Sequence, residues 1–238
     1  MILRVMCYFV IGGLFYAQAS QTLRVGTTGD YRPLTWFDKQ NNTFSGDAIT
    51  LIKRFAKDKH YDIEFIQTHW PDLSKDLANG RFQIAVGGIS ATEQRENQFL
   101  FSLPIQVFGK TALMRCRDQS RFKTFDDIDV EGVRVVENRG GTNEAFALSR
   151  VKKATLIIVP NNHLPFILLT ENKADVMFTD SIEVNYMHSI NPALCGLASK
   201  KLYTQSEKVF LFGRDEGALQ QQFNAWYKEQ AVTDKSAP

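Results

Sequence analysis

Two carboxylates three residues apart, Asp180 and Glu183, are the groups of this sequence best placed for chemistry, because they end an apolar run within Lys173–Glu183. Asp180 could hold a ligand ammonium or hydroxyl group. Glu183, if it faces an enclosed space, would have a raised pKa and could serve as a protonated general acid. A structural alternative stays open: if a strand ends near Thr179 and a helix begins at Ser181, Asp180 is the N-cap and Glu183 only favours the helix dipole.

The segment Gly88–Arg95 follows a predicted strand and carries groups that suit a carboxylate ligand. The guanidinium of Arg95 can bind a carboxylate bidentately, and Ser90 or Thr92 can add a hydroxyl donor. Taken alone, the segment is better explained by Arg95 as a surface arginine in an ordinary loop.

The glycine pair of Gly140–Glu144 precedes a predicted helix and forms a second candidate anion site. The backbone N–H groups at Gly141, Thr142 and Asn143 would point at an anion without any charged side chain. Glu144 stands near the capping-box position, so a helix cap explains the same segment and both interpretations can hold together. The pattern differs from the dinucleotide fingerprint, and no nucleotide cofactor is predicted.

Two aromatic residues and one lysine complete the candidate set. Tyr31 and Trp70 stand in turns after predicted strands, where their rings could pack on a flat ligand or simply on their own lobe. Lys110 follows Gly109 at the predicted passage between two halves of the chain, so it is either a cation of the cleft or a hinge residue.

The elements that would position these residues alternate between strands and helices, which favours an α/β fold with ligands at the carboxyl ends of parallel strands. We predict strands at 23–27, 63–68, 84–89, 133–136, 155–159, 174–178 and 209–212, and helices at 48–58, 73–79, 142–151, 164–171 and 218–228. The pattern restarts after about residue 112, and the last segment can return to the first half. A cleft between two lobes is then the expected ligand site.

The predicted organisation has lobe 1 over residues 20–112 and 200–230, lobe 2 over 113–199, and a disordered polar tail over 231–238. Residues 1–19 read as a secretory signal peptide that ends Ala17-Gln18-Ala19, so we expect a periplasmic protein without stable membrane insertion after cleavage. An N-terminal anchor is the alternative, although the apolar run is short for a membrane span.

Composition limits the classes of partner. The sequence has 28 Lys and Arg against 26 Asp and Glu, a formal net charge of +2, which offers no field of one sign for nucleic acid. The four histidines are scattered without metal-ligand spacing, so no metal site and no cofactor are predicted. Cleavage of the signal would leave Cys116 and Cys195, which in an oxidising compartment form a disulfide or remain two buried thiols.

Taken together, four of these segments resemble the extracytoplasmic amino-acid-binding proteins of ABC importers: Thr27–Tyr31, Ser90–Arg95, Gly140–Glu144 and the strand that ends at Asp180. The resemblance implies a periplasmic-binding-protein-like fold of type II, in which two α/β lobes surround a ligand cleft and two crossover segments join them. It also implies that Arg95, Ser90 and Thr142 hold a ligand α-carboxylate, that Asp180 takes the α-ammonium, and that Tyr31 stacks on the ligand side chain.

A narrower resemblance covers nearly all of the mature chain, to the periplasmic cyclohexadienyl dehydratases that are built on this fold. It rests on Thr27–Tyr31, Trp70-Pro71-x-Leu73, Arg81-Phe82-x-Ile84-Ala85, Gly88–Ser90, Gly109–Thr111, Gly140–Glu144, Thr179-Asp180-x-Ile182-Glu183 and Pro192-x-Leu194-Cys195. The resemblance implies that Glu183 is the general acid and that Trp70 and Lys110 lie around the substrate.

That resemblance implies conversion of prephenate or arogenate, small carboxylate substrates, into phenylpyruvate or phenylalanine, a step of phenylalanine biosynthesis that needs no cofactor. The chain departs from the pattern at Gly46–Thr50, where an acid is shifted by one position, and it ends soon after Lys228 without the usual further helix. We expect these departures to affect a helix cap and the packing more than the chemistry. The alternative function is the amino-acid-binding component of an ABC importer, with a permease as its partner.

Overall fold

The computed structural model describes residues 21–235, so the predicted signal peptide lies outside the described residues. Two five-stranded sheets dominate the fold. In the first, the strand order is β5-β1-β6-β15-β7, and we call the part of the chain built on it lobe 1. Its strands are β1 (Thr22–Thr27), β5 (Asp62–Gln67), β6 (Ile84–Ala85), β7 (Leu100–Phe101) and β15 (Leu211–Phe212).

The second sheet has the order β11-β10-β12-β9-β13 and defines lobe 2. Its strands are β9 (Lys110–Arg115), β10 (Arg134–Asn138), β11 (Thr155–Val159), β12 (Val176–Asp180) and β13 (Leu194–Gly196). In both sheets three neighbouring strands pair in parallel, and the two remaining pairings are antiparallel. The sheets are therefore mixed. The alternation of strands and helices predicts purely parallel sheets, and that prediction is wrong for the antiparallel pairings.

Two small sheets complete the framework. One is a three-stranded sheet of β2 (Asp30–Tyr31), β3 (Thr35–Asp38) and β4 (Thr43–Ser45). In the other, β8 (Gln106–Phe108), which leaves lobe 1, pairs antiparallel with β14 (Ser206–Lys208), which returns to it. This pair forms the two crossover segments that the resemblance implies, and the predicted type II binding-protein fold is confirmed.

Helices cover the sheets and meet the apolar side chains of each lobe. They are α1 (Asp47–Asp58), α2 (Leu73–Ala78), α3 (Glu93–Glu96), α4 (Phe125–Ile128), α5 (Thr142–Arg150), α6 (Leu164–Thr170), α7 (Ser181–Ile190) and α8 (Gly217–Lys235). In α1 the buried residues are Ala48, Ile49, Ile52, Phe55 and Ala56, which is the spacing of one helix face. Lobe 1 thereby gains a core on which Phe223 and Trp226 of α8 also pack.

Most predicted elements exist with boundaries shifted by one or two residues, and the strand at Thr155–Val159 is placed as predicted. The closing helix α8 extends to Lys235, beyond its predicted end at Lys228 and into the predicted tail. The sequence reading did not find the strand β9, although it is the central antiparallel partner of β12 in lobe 2. No helix in residues 21–235 is long and apolar enough to cross a membrane.

Cys116 and Cys195 form the predicted disulfide, at a sequence separation of 79 residues. The bond joins the residue after β9 to the middle of the edge strand β13. It therefore ties together both ends of the chain portion that forms lobe 2.

Replacing both cysteines by serine should lower the free energy of unfolding by about 2 to 4 kcal/mol, because the unfolded chain regains the entropy that the crosslink removes. Urea denaturation monitored by circular dichroism measures this. Wild-type protein in excess reductant is the matched control and should unfold like the double variant, whose own stability should not respond to reductant. Equal stability of oxidised wild type and double variant would contradict a stabilising crosslink.

Candidate functional site

The candidate site is a small cavity between the lobes, where the carboxyl ends of their parallel strands face each other. The cavity volume is about 10 Å³, at the lower limit of the roughly 10 to 15 Å³ that one enclosed water needs. A ligand of amino-acid size therefore requires the lobes or the lining side chains to move. The lining residues are Tyr31, Trp70, Gly88, Ser90, Arg95, Lys110, Asn138, Gly140, Gly141, Thr142, Asn143, Asn162 and Asp180.

Asp180 is the N-cap of α7 by position, but its side chain makes no capping hydrogen bond. The carboxylate is 1% exposed and faces lysines instead: Oδ1 lies 3.0 Å from Nζ of Lys110, and Oδ2 lies 2.7 Å from Nζ of Lys208. Tyr31 of lobe 1 donates its phenolic hydrogen to the same Oδ2 at 2.5 Å. Burial alone would raise the pKa of Asp180, but the two lysines outweigh it and lower the pKa to about 2.

Backbone pairing explains how the two lysines reach that carboxylate. Lys110 is the direct antiparallel neighbour of Asp180 in the ladder between β9 and β12. Its ammonium also donates to Oδ1 of Asn143, at the start of α5. Lys208 ends the crossover strand β14 and forms an isolated bridge with Ser90, to whose Oγ its Nζ donates at 2.7 Å. Burial lowers the pKa of Lys208 to about 8, and Asp180 opposes that shift.

Glu183 is 1% exposed and lies three residues further along α7. Its Oε1 accepts from Nδ2 of Asn162 at 2.7 Å, and Thr179 Oγ1 lies 2.5 Å from its Oε2. Burial raises the pKa of Glu183 to about 8, and the negative charges of Asp180 and Asp30 add to the shift, while the two hydrogen bonds oppose it. The carboxyl group is therefore largely protonated at neutral pH.

Glu183 does not line the main cavity. It borders a second space of about 70 Å³ beside that cavity, formed by Asp30, Arg32 and Trp36 of lobe 1 and by residues of α6 and α7. Asn162, which does line the main cavity, stands between the two spaces and also donates to the backbone oxygen of Asp30. Asn162 therefore separates the Glu183 carboxyl group from the main cavity on this side.

Arg95 is the cation at the opposite side of the cavity. Its Nη1 donates to the backbone oxygen of Ser90 at 2.8 Å, and the hydroxyl of Ser90 lies 3.5 Å from that of Thr142 in lobe 2. Burial alone lowers the pKa of Arg95 to about 10, and no carboxylate of the described chain counteracts it. Arg95 therefore stays charged at neutral pH and is available to an anion.

The loop before α5 adds backbone donors without bulk. Gly140 and Gly141 adopt φ angles of 77° and 92°, which favour glycine, and Glu144 accepts from the Gly140 N–H at 2.7 Å. A Cβ atom at Gly140 would lie 2.5 Å from the backbone nitrogen of Pro71 and 2.8 Å from the carbonyl carbon of Trp70. The glycines therefore allow bare backbone of lobe 2 to touch lobe 1.

The two predicted aromatic residues meet at the cavity wall. The rings of Tyr31 and Trp70 pack edge to face with centroids 5.8 Å apart, and Trp70 Nε1 donates to Asp30 Oδ1 at 3.0 Å. Both rings are thus held by lobe 1 and present apolar surface to the cavity.

The structure gathers nine of the predicted substrate-binding residues at this cavity, namely Tyr31, Trp70, Ser90, Arg95, Lys110, Gly141, Thr142, Asn143 and Asp180. Thr92 lies outside it, because its hydroxyl caps α3 by accepting from the Arg95 N–H. Their roles toward a ligand stay predictions.

Sequence reasoning missed four residues of the site: Asp30, Asn138, Asn162 and Lys208. Lys208 left one signal, a cation directly before the apolar strand residues 209–212, at the return to lobe 1. Asn162 lies in a loop without pattern. Within residues 21–235, the one group of three metal-ligating side chains is Cys116, His188 and Cys195, and two of these form the disulfide.

The amino-acid sequence is similar to those of a known protein family and of several characterised proteins. The family model of the bacterial extracellular solute-binding proteins, family 3, matches residues 23–235. A cyclohexadienyl dehydratase from Pseudomonas aeruginosa is 36% identical over 207 residues, which cover 87% of this chain and 76% of that protein. The ABC transporter arginine-binding protein 1 of Escherichia coli is 24% identical over 188 residues, covering 79% and 74%.

Solved structures agree with this. The crystal structure of an ancestral amino acid-binding protein, described as a precursor of cyclohexadienyl dehydratase, matches with a TM-score of 0.82 and 30% identity, covering 89% of this chain and 90% of that one. The arginine-bound arginine-binding protein from T. maritima matches with a TM-score of 0.79 and 21% identity, covering 88% and 96%, a likeness that concerns the fold alone.

The raised pKa of Glu183 predicts a loss of stability with rising pH. Its pKa is about 8 in the folded chain against an ordinary value of 4.5, so its stabilising contribution is complete below pH 4.5 and disappears as pH rises through 8. Relative to Glu183→Gln, wild type should lose on the order of 3 to 5 kcal/mol of unfolding free energy between pH 4.5 and 8. Urea denaturation of both proteins at pH 5 and pH 8 measures the difference.

Glu131→Gln is the control, because Glu131 is exposed. It should follow wild type at both pH values. If wild type and Glu183→Gln respond identically to pH, the neutral state of Glu183 is refuted.

Proposed function

The chain belongs to the bacterial extracellular solute-binding proteins of family 3, and from that premise we propose that it is a dehydratase rather than a carrier. It converts prephenate or arogenate into phenylpyruvate or phenylalanine, with loss of water and carbon dioxide. The observation that carries the proposal is Glu183, a buried, largely protonated carboxyl group beside the cavity that Arg95 and Lys110 line. The similarity to a cyclohexadienyl dehydratase supports it.

The reaction needs one proton and two held carboxylates. The bond between the ring and its carboxylate breaks, and the carboxylate leaves as carbon dioxide. The electron pair of that bond enters the ring as the carbon–oxygen bond to the ring hydroxyl breaks. The leaving hydroxyl takes the Glu183 proton and departs as water, which is general-acid catalysis. Glu183 remains as a buried carboxylate, and burial favours its reprotonation from solvent.

The cavity offers separate partners for the two carboxylates. Arg95, Ser90 and Thr142, with the N–H groups at the start of α5, suit the side-chain carboxylate. The ammonium of Lys110 lies on the far wall beside Asp180 and suits the ring carboxylate. Tyr31 and Trp70 pack against the ring between them, which leaves its hydroxyl toward Asn162 and Glu183.

Binding must also bring the acid into reach of the substrate. Asn162 donates to both Glu183 and Asp30, so a substrate hydroxyl that enters this position replaces an amide donor. The hydroxyl can then accept from Glu183 where the amide donates to it. Substrate and acid then lie within one hydrogen bond, as proton transfer requires.

The second candidate function is an amino-acid-binding component of an ABC importer. It is favoured by Arg95, a cation that no carboxylate of the described residues neutralises and that suits an α-carboxylate. Similarity to binding proteins of that class supports it as well. Both functions place the protein outside the cytoplasm after removal of residues 1–19.

Glu183→Gln should lower kcat on prephenate by about 100- to 10,000-fold, because the amide keeps the shape but has no acidic proton. The amide can still accept from Asn162 and donate to Thr179, so the fold and the cavity are preserved. An ultraviolet assay of phenylpyruvate formation measures the rate. Exposed Glu131 supplies the matched control, Glu131→Gln, which should react like wild type.

Absence of turnover in wild type would refute the dehydratase. A wild-type rate in Glu183→Gln would refute the acid. The carrier function predicts instead a ligand-induced rise in melting temperature with arginine, histidine or cystine, of the same size in wild type and Glu183→Gln.

A further inference from the structure

Lys208 is a buried cation that the reaction above does not use. It is 2% exposed and sits where the chain returns to lobe 1. Its backbone is held on both sides, since its carbonyl accepts from the Ile105 N–H and the next residue, Val209, donates to Ile89. The ammonium is thereby fixed against the cavity wall, 2.7 Å from Ser90 Oγ and 2.7 Å from Asp180 Oδ2.

The contacts of Lys208 determine what Asp180 can still accept. Oδ2 already accepts from Lys208 and Tyr31, and Oδ1 accepts from Lys110. A carboxylate offers about four acceptor positions, so about one remains. A ligand ammonium at that position would lie beside two other ammonium groups. Since like charges repel strongly in a buried site, Asp180 is a poor acceptor for it.

The charge of the site leads to the same conclusion. Among the described residues that line the cavity, the ionised ones are Arg95, Lys110 and Asp180, and Lys208 stands directly behind Asp180. Asp30 adds a second carboxylate next to the cavity, where it accepts from Trp70. Three cations against two anions leave a net charge of one positive unit, because the nearby Glu183 is protonated. A substrate with two carboxylates and no ammonium is attracted to this positive charge more strongly than the same substrate with an added ammonium.

We propose that Lys208 makes this site selective for a dianionic keto acid over the corresponding amino acid, by occupying Asp180 with an ammonium of the protein's own. The proposal rests on the proposed function, and within it names prephenate rather than arogenate as the substrate. Lys208 acts through Asp180, as a positioning residue. In an amino-acid-binding site, by contrast, this carboxylate would be free to bind the ammonium of the ligand.

The test compares kcat/KM for prephenate and arogenate in wild type and in Lys208→Met, which keeps an unbranched apolar stem and removes the ammonium. Wild type should prefer prephenate by about tenfold or more, and Lys208→Met should lower that preference by about tenfold or more, because Asp180 then accepts the arogenate ammonium. Lys57→Met is the control, since Lys57 is exposed on α1, and it should keep the wild-type preference.

The outcomes separate this inference from the proposed function. Absence of turnover with either substrate refutes the dehydratase. Equal turnover of both substrates by wild type refutes the selectivity while the dehydratase stands. If Lys208→Met loses activity on both substrates in equal proportion, Lys208 has a structural role only, and its role in selectivity is refuted.

A binding measurement on wild type alone decides the matter if Lys208→Met does not fold. Titration calorimetry with phenylpyruvate and with phenylalanine compares a keto acid and an amino acid that share one side chain. We expect phenylpyruvate to bind about tenfold more tightly. Equal affinities, or tighter binding of phenylalanine, overturn the assignment of Lys208 whether or not the protein turns over prephenate.

Discussion

The site depends on two carboxyl groups at the start of α7, whose pKa values are shifted in opposite directions by the groups around them. Asp180 and Glu183 are both almost fully buried, and burial opposes ionisation of both. Two lysines compensate that cost for Asp180, which stays charged, while Glu183 has only an amide and a hydroxyl beside it and stays neutral. Environments that separate the pKa values of neighbouring acids divide their chemical roles, and here they leave one counter-ion and one proton donor.

The charged member of this pair also connects the lobes. Asp180 ends a strand of lobe 2, while Tyr31 and Lys208, which contact it, come from lobe 1 and from the crossover strand that leads back to it. The groups that set the electrostatics of the cavity are therefore also groups that hold it closed. Binding and closure use the same contacts, which is how a two-lobed receptor can acquire a reaction without a change of architecture.

Much of this arrangement follows from sequence pattern, and its limits have physical causes. The apolar run before Asp180 fixes a buried strand, so its end and the helix after it could be placed, and the glycines and Arg95 carry local signals. The sequence could not show whether the Asp180 side chain caps α7. Its hydrogen bonds come instead from Lys110 and Lys208, which lie 70 and 28 residues away in sequence. Asn162 and Lys208 could not be assigned to the site from sequence, because only tertiary contacts bring them there. The strand β9 was missed because it lies fully buried and has no alternating pattern.

The bare backbone at Gly140 sets a mechanical tolerance for the whole molecule. Even a methyl group at that position would collide with the main chain of Trp70 and Pro71. Any residue larger than glycine would therefore hold the two lobes apart. Misplacement of reacting groups by about 1 Å can cost on the order of 100-fold in rate. A substitution at a residue without a side chain of its own would thus keep the two lobes from closing fully on whatever the cavity holds.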